Sequence, residues 1–347
     1  MPKRILLERV IILNKRISSI EIFCICYFLI RSSFFNLTLN SILKSSKNNS
    51  ISVLIISSLL GLIPLFIYIS ILKKIKNNSL KNYIDNNFTK LPAKTINYII
   101  FISSIFFLIL LFSNYTLYIK NEYLEDMSPI LISLSIMIPF VYISFKKITV
   151  LTRTSVILFF ISILFTLISF ISLIFKIDFS NILPFTVYNT NISKNVLLYI
   201  GFNILPLFFL LTLPINYNKK NIKSILGSYI TTNFLLIFII LLNVLISNFS
   251  NSETTNIFKE VSIIGYSGNI EALLSIQTIF DLFIIISITL FFIRKYLNTK
   301  DFYIIMLCIY IVSNLVIYTK ITFKYTIPLL YMSFLFIPFL ISLKRDD

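Results

Sequence analysis

Apolar residues fall along this chain in ten long runs separated by short polar stretches, at roughly 17–40, 51–72, 95–119, 128–145, 150–175, 195–215, 224–247, 270–293, 301–319 and 325–343. A helix rises 1.5 Å per residue, so about 20 apolar residues cross the hydrocarbon core of a bilayer. Each run is predicted to be a membrane span, and the chain an all-α integral membrane protein of about ten transmembrane helices. The longest connections, about 74–94 and 248–269, are too short for a separate soluble domain, which leaves a single ten-helix domain over 17–345.

Two of the runs are interrupted. In the sixth, NVLLYIGFNILPLFFLLTLP (195–214), Gly201, Asn203 and Pro206 fall close together. Proline removes a backbone donor and clashes with the preceding turn, and glycine loosens the helix. Backbone groups freed inside a membrane need partners, so such a break belongs against protein or a wet cavity. The first run has Ile30-Arg31-Ser32-Ser33 in its middle, with a charge at mid-depth. The first and sixth runs each open one half of a ten-run chain. Interrupted helices at corresponding places in two halves point to a transporter binding site. Five spans per half is an odd number, so the halves, about 17–175 and 195–343, are expected to be inverted relative to each other. The simpler alternative is that Pro206 only kinks its span and Arg31 snorkels to the interface.

Composition agrees with the membrane reading: 57 % of the 347 residues are hydrophobic and the mean hydropathy is +0.91, where soluble domains run nearer 45–50 % apolar. The net charge of +17 raises the question of nucleic acid, but the charges are placed by topology. With the N-terminus in the cytoplasm, 22 Lys and Arg lie on inner segments, 8 on outer segments and Arg31 within a span. That asymmetry predicts both termini cytoplasmic, with the basic residues facing anionic lipid headgroups. Residues 1–16 carry Lys3, Arg4, Arg9, Lys15 and Arg16 between short apolar runs. They are expected to form a basic interfacial segment rather than a cleaved signal peptide.

Charges inside spans cost about 2.5–3.5 kcal/mol each on insertion scales, so each needs a partner or water. Arg31 and Asp281 are the clearest cases, and Gln277 shares a helical face with Asp281. Glu21 and Glu271 lie near span ends and can reach the interface; Asn114 and Tyr115 are weaker candidates. Cys24, Cys26 and Cys308 fall within spans and are expected to be buried as small hydrophobes. The chain contains no histidine, which excludes histidine metal ligands and His-dependent triads. Only five glycines are present, at 61, 201, 227, 265 and 268, and none builds a phosphate-cradling loop. The acidic group Glu122, Glu125 and Asp126 reads as a solvated loop. No enzyme chemistry, metal, cofactor or nucleic-acid partner is expected.

Several short motifs resemble one family. Ser18-Ser19-Ile20-Glu21-Ile22-Phe23, Ser79-Leu80-Lys81-Asn82-Tyr83-Ile84, Ser128-Pro129, Arg153, and Asp178-Phe179-Ser180-Asn181-Ile182-Leu183-Pro184 stand in the order and spacing of the permease-like B subunit of spore nutrient germinant receptors. Gly265 and Glu271 match that family's Gly-x-x-x-Arg-x-Glu pattern, with Asn269 in place of the arginine, and Lys147 stands where the family usually has glycine. The family belongs to the amino acid–polyamine–organocation transporter superfamily.

The resemblance implies a leucine-transporter-like fold of two inverted five-helix repeats, with spans 1 and 6 unwound around a ligand. It implies a small nutrient ligand such as an amino acid, A-type and C-type receptor subunits as partners, and residence in the cytoplasmic or spore inner membrane. Arg31, Ser32, Ser33, Gly201, Asn203 and Asp281 are the expected ligand-binding residues. Spans 1 and 8 touch beside the ligand in that fold, which predicts an ion pair between Arg31 and Asp281. The rival expectations are a secondary amino-acid transporter of the same superfamily and, more remotely, a membrane enzyme. For the enzyme, the outer loop offers only Glu253 and Glu260 as acids.

Overall fold

The computed structural model describes residues 17–46, 49–75, 80–174, 177–179, 192–246, 270–319 and 326–344. The basic segment 1–16, the motif residues Ser79, Ser180, Asn181, Ile182, Leu183, Pro184, Gly265 and Asn269, and the loop acids Glu253 and Glu260 lie outside it, as do the side chains of Glu122 and Glu271.

Among the described residues every regular element is helical, and the helices fall into ten spans. Span 1 comprises Ser19–Arg31, a π-helical turn Phe34–Thr38, and Leu39–Ser46. Span 2 is Ser50–Ile75, span 3 Lys90–Tyr123, span 4 Pro129–Ser144 and span 5 Ile148–Ile174. Span 6 runs through Ile192–Tyr199, a π turn Ile200–Ile204 and a 3₁₀ stretch Leu205–Thr212. Span 7 is Lys219–Ile246, span 8 Ile270–Arg294 and span 9 Thr299–Thr319. Span 10 comprises Thr326–Tyr331, a π turn Met332–Phe336 and Ile337–Leu343. Eight spans are long and apolar enough to cross a bilayer in one helical run. Span 4 has 16 residues, and span 1 is divided by its break. A short helix, Leu80–Asn87, precedes span 3.

Local chemistry sets the ends. Ser18 and Glu21 form a reciprocal capping box at the start of span 1, with Ser18 N donating to Glu21 Oε2 at 2.7 Å. Glu21 is thus a helix cap. Ser128 caps span 4, and Pro129 follows at its first position, where its missing N–H costs nothing.

The breaks also have a local cause. Pro206 and Pro338 each lack a donor for the carbonyl four residues earlier, Phe202 and Phe334, and each of those lies in a π turn. The widened turn takes up the proline ring. The break in span 10 is not among the sequence expectations. Tyr68, buried on span 2, donates to Phe334 O at 2.5 Å and lies 3.3 Å from Leu205 O, so one hydroxyl serves carbonyls in two broken spans.

Adding five to each span number maps most of the packing onto itself; the contacts of span 1 with span 8 and of span 2 with span 10 have no comparable counterpart. Span 1 meets span 7 and span 6 meets span 2; span 1 meets span 5 and span 6 meets span 10. Likewise 5 with 8 answers 10 with 3, 4 with 8 answers 9 with 3, and 3 with 4 answers 8 with 9. The pairs 3 with 8, 4 with 9 and 1 with 6 answer themselves. The two halves therefore repeat one packing plan and, with five spans each, run in opposite directions.

Span 6 is the centre of this plan: 89 % of its most apolar 18-residue stretch is buried, against 28 % of the corresponding stretch of span 5. Phe208 stacks on Phe334 at 4.9 Å and Phe209 packs on Phe107 and Phe292, filling the middle with rings. Spans 4, 5 and 9 present large apolar side chains outward, as lipid-facing helices do.

At the face where the even-numbered spans end, basic side chains cap the orphan carbonyls of neighbouring spans. Lys295 Nζ donates to Thr212 O at 2.6 Å, Arg294 Nη1 to Ser144 O at 2.6 Å, and Lys74 Nζ to Ser342 O at 2.8 Å and to Lys344 O. Cations there also oppose the helix dipoles. Lys295 is exposed as a whole residue, but the lost hydration of its ammonium lowers its pKa.

Candidate functional site

Arg31 is the last residue before the break in span 1, and its side chain is fully buried. Its Nε lies 3.0 Å from Asp281 Oδ2 of span 8, the ion pair expected from sequence. The approach is off-line for a hydrogen bond, so charge alone joins the two. The rest of the guanidinium is well supplied. Nη1 donates to the Tyr27 hydroxyl and, at 2.8 Å, to Ser162 Oγ of span 5; Nη2 donates to Gln277 Oε1 of span 8. Thr166 of span 5 also donates to Gln277 Oε1, at 3.2 Å. The guanidinium carbon sits 5.5 Å from the Tyr27 ring centre and 5.0 Å from that of Phe35. Spans 1, 5 and 8 are thus pinned together at one buried cation.

Asp281 is far less well served. Neither of its carboxylate oxygens accepts a hydrogen bond, and Gln277 Nε2 donates to nothing. Buried polar atoms are ordinarily paired, so each exception calls for an explanation such as an unseen ligand or water.

A second polar group joins the two breaks. Asn203, in the π turn of span 6, donates through Nδ2 to Thr38 Oγ1 in the π turn of span 1 at 3.2 Å. Asn203 Oδ1 and Ser33 Oγ are buried without a partner. One turn earlier on span 6, Tyr199 donates to Asn233 Oδ1 of span 7 at 2.8 Å and packs edge-on against Phe34. Asn195 ties span 6 to the end of span 1 through Ser45 and Ser46.

The expected site residues are therefore all buried at the two breaks or beside them, with one difference in role. A side chain at Gly201 would point at span 10, 3.4 Å from Tyr331 Cε2 and 3.8 Å from Ile327 Cγ2. The space Gly201 leaves is used for helix packing: Tyr331 lies across it and donates to Leu197 O at 3.0 Å. Ser32 turns back to donate to Leu29 O at 3.0 Å, sealing the end of the first half-helix. Tyr115 is buried against Phe140 of span 4, and Asn114 donates to Leu110 O of its own helix at 2.7 Å. Cys24 and Cys26 are buried as expected, but Cys308 is exposed on the outer side of span 9.

Sequence reasoning missed Tyr27, Ser162, Thr166 and Tyr68. Hydroxyl-bearing residues are common in these spans, and nothing in their spacing marks which ones meet Arg31 or a broken turn. Among the described residues no cluster of three or more His, Cys, Asp or Glu gathers to hold a metal. No known protein-family model and no curated protein matches the chain.

What the fold and site define is a class: a multi-pass, all-α membrane protein built from two like-packed halves, with interrupted helices meeting at a buried polar centre.

Proposed function

We propose that this protein is the permease-like subunit of a spore nutrient germinant receptor, with the leucine-transporter-like arrangement of its superfamily. It would take a small zwitterionic nutrient such as an amino acid between the breaks of spans 1 and 6. One observation carries the reading: the two breaks meet at Asn203 and Thr38, amid buried polar atoms of Ser33, Asn203, Gln277 and Asp281 that have no protein partner. A ligand carboxylate suits the free backbone amides where the second half of span 1 begins, and a ligand ammonium suits unpaired acceptors. Arg31 is engaged by five side chains, Asp281, Tyr27, Ser162, Gln277 and the ring of Phe35, which fits a fixed internal cation better than a residue that grips and releases a ligand.

The reading includes A-type and C-type partner subunits, a spore inner membrane location, cytoplasmic termini and no enzymatic activity. The alternative is a secondary transporter of the same superfamily, favoured by the repeated packing of the two halves. The test is Asn203→Ala in spores and in membrane vesicles. The receptor reading expects the nutrient dose needed for germination to rise, with the protein still present in the membrane and no uptake of labelled amino acid. Normal germination combined with amino-acid uptake by the wild-type protein would replace it with the transporter reading.

A further inference from the structure

The face that carries the ends of the even-numbered spans holds a cavity of about 840 Å³, bounded by the short helix Leu80–Asn87, the start of span 3 and the end of span 8. A second hollow of about 320 Å³ shares Lys81 and Tyr296 with it and reaches Lys295. Together their walls carry four lysines, Lys81, Lys90, Lys94 and Lys295, against one carboxylate, Asp85. Asp85 is already engaged by Asn97 Nδ2 at 2.8 Å, and Lys81 lies over the Tyr296 ring at 4.9 Å. The excess positive charge therefore faces the hollow.

The other walls are mainly apolar, with Thr95 and Asn97 among them. Lys90, Lys94, Asn97 and Phe101 follow one face of span 3, so the lining passes from cation to ring over about 16 Å of helix, close to an acyl chain's length. Ala93, Phe101 and Leu297 continue the apolar side. A small soluble anion would satisfy the lysines and leave this groove empty, whereas a lipid fills both. Basic pockets between spans on the cytoplasmic side suit anionic headgroups.

We propose that this cavity is a binding site for an anionic phospholipid, with its phosphate held by Lys81, Lys90 and Lys94 and an acyl chain lying along span 3. The site is separate from the breaks of spans 1 and 6.

The test uses the full chain purified in neutral detergent, with thermal melting followed during titration with phosphatidylglycerol, phosphatidylcholine, or glycerol phosphate. Phosphatidylglycerol should raise the melting temperature saturably, and the other two should not. Lys90→Gln/Lys94→Gln should weaken phosphatidylglycerol binding by about tenfold or more, from the contribution of two lysines near an anionic surface. Lys146→Gln/Lys147→Gln, on a connection at the same face, should leave it unchanged. An equal response to glycerol phosphate would overturn the lipid assignment in favour of a soluble phosphate. Equal binding of phosphatidylcholine, or equal loss in both double variants, would overturn the site.

Discussion

Breaking the Arg31–Asp281 pair tests the centre of the structure most directly. The two side chains are 0 % and 1 % exposed and 3.0 Å apart. Removing one partner strands the other charge, which typically costs about 3–5 kcal/mol, whereas replacing both with apolar groups is far less damaging. The environment makes the two singles unequal in kind. Asp281→Leu leaves Arg31 its contacts with Tyr27, Ser162 and Gln277. Arg31→Met leaves Asp281 with no hydrogen-bond donor at all. Arg31→Met should therefore be the worse single variant. In the double variant Tyr27 can still pair with Ser162, already 3.4 Å away, and Gln277 with Thr166. At roughly 2 °C per kcal/mol for a chain of this size, each single should melt about 6–10 °C lower, and the double should regain at least half the summed loss. The chain has no tryptophan, so melting is best followed with a thiol-reactive dye reporting exposure of Cys24 and Cys26, in a Cys308→Ser background because Cys308 is already exposed. Additive losses across the four proteins would refute the pair as a coupled unit, as would singles that melt like the wild type.

Tyr68→Phe removes the hydroxyl shared by Phe334 O and Leu205 O, and should cost about 1–3 kcal/mol; an unchanged melting temperature would show that the carbonyls find other donors. Gly61→Ala should destabilise by about 1–3 kcal/mol, because a Cβ there collides with Ile204 Cδ1 and the Tyr229 hydroxyl, while Gly227→Ala, whose nearest neighbour is Phe23 at 3.9 Å, should be tolerated. Equal melting of these two variants would contradict the close packing of span 2 on the break of span 6. For topology, single cysteines should label from inside at Asn298 and from outside at Asp126, both in exposed connections; Asn49 and Asn221, also in connections by sequence, are buried and unsuited. Outside labelling at Asn298 alone would reverse the orientation drawn from the Lys/Arg asymmetry.

The run lengths of apolar residues alone were enough to place all ten spans, with ends up to six residues off in spans 1, 3 and 7, because the bilayer sets a minimum length and forbids unsatisfied backbone. The breaks in spans 1 and 6 were legible for the same local reason: a charge beside two serines, and a glycine, an asparagine and a proline within six residues, each weaken a helix; a proline alone does not break one, since Pro139 sits inside the helix of span 4. Pro338 carried a like signal for span 10, but its run holds no charge and no glycine to draw attention to it. The Arg31–Asp281 pair was also legible, since two mid-depth charges of opposite sign have few alternatives to each other. The tertiary structure decided everything that depends on who faces whom. Gly201 opens toward Tyr331, Tyr68 serves two broken turns, and Lys295 caps span 6 because of how the helices pack. A hydroxyl or a lysine stem reads alike in sequence whether it meets lipid, water or a bare carbonyl. Only the packing of distant spans, which no local pattern encodes, determines which.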